Sequence, residues 1–159
     1  MREILFRGKQ IDDGTWAYGY YGVFKDHHDI YVPFSEEEEK ENEGHIFSAI
    51  GGLWHNVNAE TVGQFTGLVD KNGTKIFEGD VFQLEDDIFG VVTFGRGYFC
   101  LTEYGFRGSF TESGYDEFGG GWGIIECEPL DFWYVNKLEI TGNIHDNSEL
   151  LEVINNGLR

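Results

Sequence analysis

His27, His28 and Asp29 stand together, and His45 follows beyond a run of glutamates. Imidazole nitrogens and carboxylate oxygens are donors that zinc or iron accepts, so these four residues form the candidate metal set. They would suit a small metal-dependent hydrolase. Neighbouring side chains of an extended strand point to opposite faces, however, so His27 and His28 cannot both ligate from one strand. The favoured reading is a pair of surface-loop histidines. His145, flanked by Asn143, Asp146 and Asn147, can orient a small ligand, but the same residues account for a turn and a helix cap. No Gly-x-Ser-x-Gly elbow, His-Glu-x-x-His pair or Gly-Lys-Ser/Thr loop is present. Gly119–Gly123 lacks the Lys and following helix that phosphate binding requires. Asp70-Lys71-Asn72-Gly73 begins like a calcium loop but lacks further ligands at the needed spacing, and reads as a turn. Dispersed carboxylates can pair as acid and base, yet with 29 Asp and Glu in 159 residues such pairs arise by chance. We assign no catalytic residue and no cofactor.

Those 29 acidic side chains face 11 basic ones, a formal net charge of −18. Plain solubility is the simplest consequence of that field. It also opposes binding to phosphate backbones and anionic lipid, which depends on Lys and Arg, so direct nucleic-acid binding is disfavoured. Trp16, Tyr18 and Tyr20 or Phe132 and Tyr134 can form a stacking platform for single strands, but that use also needs a basic groove. Lys and Arg are sparse, so these rings are assigned to the core or a subunit interface. The field would instead draw a protein partner with a basic surface. Glu36, Glu37, Glu38 and Glu39, together with Tyr115, Phe118 and Trp122, are the candidate protein contacts. The N-terminal residues resemble neither a signal nor a transit peptide, and the longest apolar stretch, Ile46–Trp54, is far short of the ~20 residues of a spanning helix. The expectation is a soluble intracellular protein with no membrane contact, in which Cys100 and Cys127 act as buried small hydrophobes.

Frequent Gly, only 2 Pro and short aromatic runs between Gly, Asn and Asp clusters predict a mainly β protein. Glu3–Arg7 and Trp16–Phe24 flank the Asp12-Asp13-Gly14 break and read as a hairpin. Ile30–Phe34 reads as an edge strand because Pro33 cannot donate to a ladder. The run at 36–43 reads as a mobile acidic loop. Val62–Val69 and Lys75–Phe77 flank an Asn72-Gly73 turn. Val81–Leu84, Val91–Phe94 and Tyr98–Tyr104 form a meander of the kind that closes into a small barrel. Residues 105–123 form a long Gly/aromatic excursion, and long loops in compact domains are usually functional or disordered. Ile124–Cys127, Phe132–Val135 and Leu138–Ile144 are further strands, and a short C-terminal helix starts near Ser148.

The block Glu60-Thr61-Val62-Gly63-Gln64-Phe65-Thr66-Gly67-Leu68-Val69-Asp70-Lys71-Asn72-Gly73-Thr74-Lys75-Ile76-Phe77-Glu78-Gly79-Asp80-Val81 closely resembles the YopX family of phage and prophage proteins. The opening Met1–Gly8 with Trp16 and Tyr18-Gly19 resembles the family's start. Leu138–Leu151 resembles its closing segment, with Ser148 where the family often has Pro. The resemblance implies an SH3-like small barrel core, residence in a bacterial host's cytoplasm and a tendency to form homo-oligomers. It implies no activity. The chain is thus expected to be one YopX-like domain: an N-terminal β-hairpin region over 1–59, the barrel over 60–145, and a short helix and tail over 146–159. The expected role is a non-enzymatic, self-associating protein-binding module. A sharper form is an acidic decoy for a basic host protein. A metal-dependent hydrolase and a nucleic-acid-binding barrel are the alternatives.

Overall fold

A computed structural model describes residues 3–41, 51–85, 88–95, 97–111, 114–130, 135–147 and 149, with backbone alone at 84–85, 88, 103–111 and 114–128. The chain is mainly β, and it divides into two compact units, Met1–Phe65 and Thr66–Arg159.

In the first unit, β1 (Phe6–Lys9) and β2 (Trp16–Phe24) form the expected hairpin, with Phe6 opposite Gly19 and Lys9 opposite Trp16. Gly14 turns the chain at φ 71°, a conformation that suits a residue without Cβ. Asp13 Oδ1 accepts from the Thr15 N–H at 2.8 Å and from its hydroxyl at 2.7 Å. The first of these bonds, aided by the second, holds the Asp13 carboxyl below its ordinary range. β3 (His27–Pro33) pairs with β2, and β4 (Gly52–Asn56) pairs with β3. The strand order here is β4-β3-β2-β1 followed by β5 (Gly63–Val69). β3 is therefore an interior strand, not the expected edge. Pro33 is its last residue, where a missing donor matters least. His27 and His28 are the first residues of β3 rather than loop residues.

The glutamate run is not the expected loop over the residues described. Glu36–Glu41 form a helix, α1, that buries none of its residues. Its start is a capping box: Glu38 Oε2 accepts from the Ser35 N–H and hydroxyl, both at 2.8 Å, and the Glu38 N–H donates to Ser35 Oγ at 3.4 Å. The Ser35 N–H, then its hydroxyl, keep the Glu38 carboxyl below its usual range. All four residues Glu36 to Glu39 lie in the first turn, where the helix dipole favours negative charge. Residues 42 and 43 of the run and His45 lie outside the described residues.

The unit's core is Ala17, Ile30 and Val57, with Phe6, Tyr21, Val32 and Val62 packed around it. Gly8 admits Val57, since a Cβ there would lie 3.0 Å from Val57 Cβ.

In the second unit the later half of β5 leads through the Asp70–Gly73 turn, with Gly73 at φ 84°, into β6 (Lys75–Phe77). A meander follows: β7 (Asp80–Glu85), β8 (Ile88–Gly95), β9 (Tyr98–Thr111) and β10 (Gly114–Pro129), with β11 (Ile140–Asn143) on the far side of β7. The sheet order β10-β9-β8-β7-β11 has two ends, and β10 does not pair with β11. The meander expected from the sequence is present, but among the described strands it forms an open sheet rather than a closed barrel. Ile76, Phe82, Val92, Leu101 and Val135 are fully buried, with Leu68, Leu130, Leu138 and Ile140 packed on them. Gly90 makes room for Leu101, whose Cγ would lie 2.7 Å from a Cβ at that position.

Two buried carboxylates tie the turns of this unit to its strands. Asp70 is 4% exposed and accepts from the N–H groups of Asn72 (2.8 Å), Thr74 (2.9 Å) and Ile140 (3.3 Å). Burial alone would raise its pKa, but these backbone donors together hold the carboxyl below its ordinary value. Asp80 accepts from the Phe77 N–H at 2.7 Å. Cys100 is buried, as expected, with Sγ 3.2 Å from the Thr93 hydroxyl.

Residues 105–123 belong mostly to strands rather than to an irregular loop: β9 pairs with β10, with Trp122 opposite Phe106 and Tyr115 opposite Phe110. A long excursion must satisfy its backbone groups somewhere, and pairing across a hairpin does so locally. Tyr115, Phe118 and Trp122 all lie on β10, with Phe118 inside the irregularity between Asp116 and Gly121. The side chain of Cys127, residues 132–134 and the expected C-terminal helix beyond Glu149 lie outside the described residues. Among those described, no helix is long and apolar enough to cross a membrane.

Candidate functional site

β-strand side chains alternate between faces, and directly paired residues share one. In the first unit the pairings place Ala17, Gly19, Tyr21 and Ile30 on the face that meets Val57. The other face carries the larger rings. Tyr20, Tyr31 and Trp54 form one row across β2, β3 and β4, Gly22, Asp29 and Asn56 the next, and Phe24 and His27 the one after. Trp16 and Tyr18 extend the face toward β1, opposite Lys9 and Arg7. Tyr18 is 49% exposed, Tyr20 52%, Trp54 56% and Phe24 71%. These four rings are therefore presented to solvent. For Tyr18 and Tyr20 this removes the core from the two places expected, the core or a subunit interface.

Glycines set the geometry of this face. A Cβ at Gly22 would lie 3.1 Å from Trp54 Cζ3, and one at Gly52 would lie 2.7 Å from Tyr31 Cζ. The two rings lie across backbone that carries no side chain, with centroids 5.1 Å apart and planes at 44°. Cations already use the same face: the Arg7 guanidinium sits 4.7 Å from the Trp16 ring centre and the Lys9 ammonium 5.5 Å, while the Lys25 ammonium is 5.6 Å from the Phe24 ring.

The histidine pair lies where β2 turns into β3, beside an open cleft of about 560 Å³ lined by Lys9, Gln10, His27, His28, Asn56 and Asn58 among others. His27 is exposed and on the aromatic face, whereas His28 is half-buried on the opposite one. The Tyr21 hydroxyl and His28 Nδ1 share a hydrogen bond, and their rings stack at 5.9 Å. Asp29 Oδ1 accepts from Asn56 Nδ2 at 3.2 Å. Gln10 Nε2 donates to the Thr15 hydroxyl at 2.8 Å, and Asn58 Oδ1 accepts from the Glu60 N–H at 3.1 Å. The cleft's amides thus bond largely to the protein itself. Among the described residues, no group of three or more His, Cys, Asp and Glu is arranged to hold a metal ion. His145 sits in a turn, its N–H donating to Asn143 Oδ1 at 2.9 Å.

A profile of the family described as YopX protein matches residues 5–152, nearly the whole chain. The chain belongs to the YopX family. No curated protein matches it. The YopX match spans both units, so the aromatic face and the Asp70 turn fall within the family region. Sequence reasoning singled out Trp16, Tyr18 and Tyr20 but missed Trp54 and Phe24. The available signal was the small-residue pattern Ala17, Gly19 on one face of β2 against Trp16, Tyr18, Tyr20 on the other.

Proposed function

We propose that the chain is a non-enzymatic phage or prophage accessory protein of the bacterial cytoplasm that self-associates and docks a host or phage protein bearing a basic surface. The exposed aromatic face of the first unit carries this reading. Contiguous exposed apolar patches on soluble proteins mark interaction sites, and Tyr and Trp are enriched where protein interfaces bury their centres. The net charge of −18 supports a basic partner, because complementary charge speeds encounter and rejects acidic competitors. The exposed glutamates of α1 add to that field. In its sharper form the chain is a decoy that occupies the nucleic-acid site of a basic host protein.

The test is capture of host proteins on the immobilised full-length chain, eluted first at low and then at high salt, with light scattering of the free chain in parallel. Screening weakens attraction to a basic partner and relieves the chain's own repulsion. The expected outcome is a basic protein released by salt and self-association that strengthens with salt. A chain that stays monomeric and retains no basic protein would overturn the proposal. Replacing Glu36 to Glu39 and further surface carboxylates with Gln, without effect on capture, would remove the decoy form.

A further inference from the structure

We propose that the Trp54 platform reads arginine: a guanidinium of the basic partner stacks on the open face of the Trp54 indole and pairs with the Asp29 carboxylate. The assignment rests on the reading of this face as a protein-docking surface, and it adds the chemistry of the occupant. The indole reaches across β3 until it covers Gly22, with Cζ3 and Cη2 at 3.1 and 3.4 Å from where a Cβ would stand. Tyr31 packs beside it. The Cζ3–Cη2 side of the ring is held over Gly22 while Trp54 remains 56% exposed, so much of its π surface is open to solvent. Trp is the strongest aromatic partner for a cation.

Asp29 supplies what a bare stacking platform lacks. It stands between Gly22 and Asn56 in the row next to Tyr20, Tyr31 and Trp54. Two residues along a strand span about 7 Å, within reach of a planar guanidinium that stacks on one group and donates to another. Arginine meets both demands, since it stacks on rings and pairs with carboxylates through fixed paired donors, whereas lysine is a point charge. Arg7 over Trp16 shows the stacking part of this arrangement made within the chain. A nucleic-acid base would also stack on these rings, but a carboxylate among them and a net charge of −18 oppose a polyanion.

The experiment uses the full-length, isotope-labelled chain titrated with an arginine-rich peptide, a lysine peptide of equal length and an oligothymidylate, following the Trp54 indole N–H resonance. Variants Trp54→Ala and Asp29→Asn are titrated alongside, with thermal melts confirming that each folds. The arginine peptide is expected to shift the Trp54 signal and to bind about tenfold tighter than the lysine peptide, with about the same loss on Asp29→Asn. Equal binding of the two peptides, indifference to Asp29→Asn, or a Trp54 shift caused only by the oligonucleotide would each overturn the assignment. If partner capture needs Trp54 but ignores Asp29→Asn and is not competed by the arginine peptide, the docking surface stands and the arginine assignment falls. If capture survives Trp54→Ala, the docking surface itself falls.

Discussion

The core of the second unit and the β2–β4 face of the first place large side chains in opposite ways, although the second unit also exposes Phe94 at 54% and Tyr98 at 38%. The second unit encloses Phe82, Ile76, Leu101 and Val92 with no exposure above 1%, and it satisfies its buried carboxylates with backbone N–H groups. The first unit builds a smaller core from Ala17, Ile30 and Val57 and leaves Tyr18, Tyr20, Phe24 and Trp54 in water. An aromatic side chain does not by its nature belong to the core. In β2 Ala17 and Gly19 keep the core face small, Tyr21 alone of the rings joins it, and Trp16, Tyr18, Tyr20 and Phe24 take the face that remains.

Substitutions of equal size in that core and on that face should therefore have unequal effects. The largest is expected for Phe82→Ala, which removes a fully buried ring and should cost about 3–5 kcal/mol in a denaturant melt. Trp54→Ala removes a larger ring, yet should cost under about 1 kcal/mol, most of it from the Tyr31 contact. Comparable losses for the two would break the contrast.

Asp70→Asn falls between these two in size. It keeps the side chain's shape but loses the charge that three N–H donors address, and should cost about 1–3 kcal/mol at neutral pH. The folded-state pKa lies below the 3.8 of the free side chain, so the unfolded chain takes up the proton more readily. The stabilisation is thus complete above that value and is lost as pH falls through the folded pKa. The Asn variant should show a flatter acid limb than the parent when stability is measured against pH.

Smaller effects sharpen the picture of the displayed face. Gly22→Ala inserts a Cβ 3.1 Å from Trp54 Cζ3 and should lift the indole from the sheet, visible as a red-shifted Trp emission with little change in melting. Ser35→Ala removes one partner of the capping box and should speed amide exchange within Glu36–Glu41 while leaving the global melt unchanged, because α1 buries nothing.

Much of this architecture is legible in the sequence, for local reasons. Asn72-Gly73 and Asp13-Gly14 are turns because Gly supplies positive φ, and the bounds of Trp16–Phe24 follow from the Gly and Asp that flank it. β4 escapes because Gly51 and Gly52 interrupt its apolar stretch, and without β4 the strand His27–Pro33 looks like an edge. α1 is hidden by its own charge: the glutamate run suggests repulsion, while the Ser35–Glu38 box that starts the helix needs only two residues. The displayed face is the hardest to read. Alternation says that Trp16, Tyr18 and Tyr20 share a face, but hydrophobicity alone would turn that face inward. Only the pairing of Tyr20 with Tyr31 and Trp54, and the fit of Val57 to Gly8, decide the direction.

The central claim is that the rings displayed on the β2–β4 face, Trp54 above all, serve binding, whereas the buried Phe82 serves stability. The most direct measurement is the affinity of the arginine-rich peptide for the parent chain and for Trp54→Ala, at a temperature where melts show both fully folded. The account predicts that Trp54→Ala keeps its melting behaviour and loses binding by about tenfold or more. Unchanged affinity in a folded Trp54→Ala chain would contradict it.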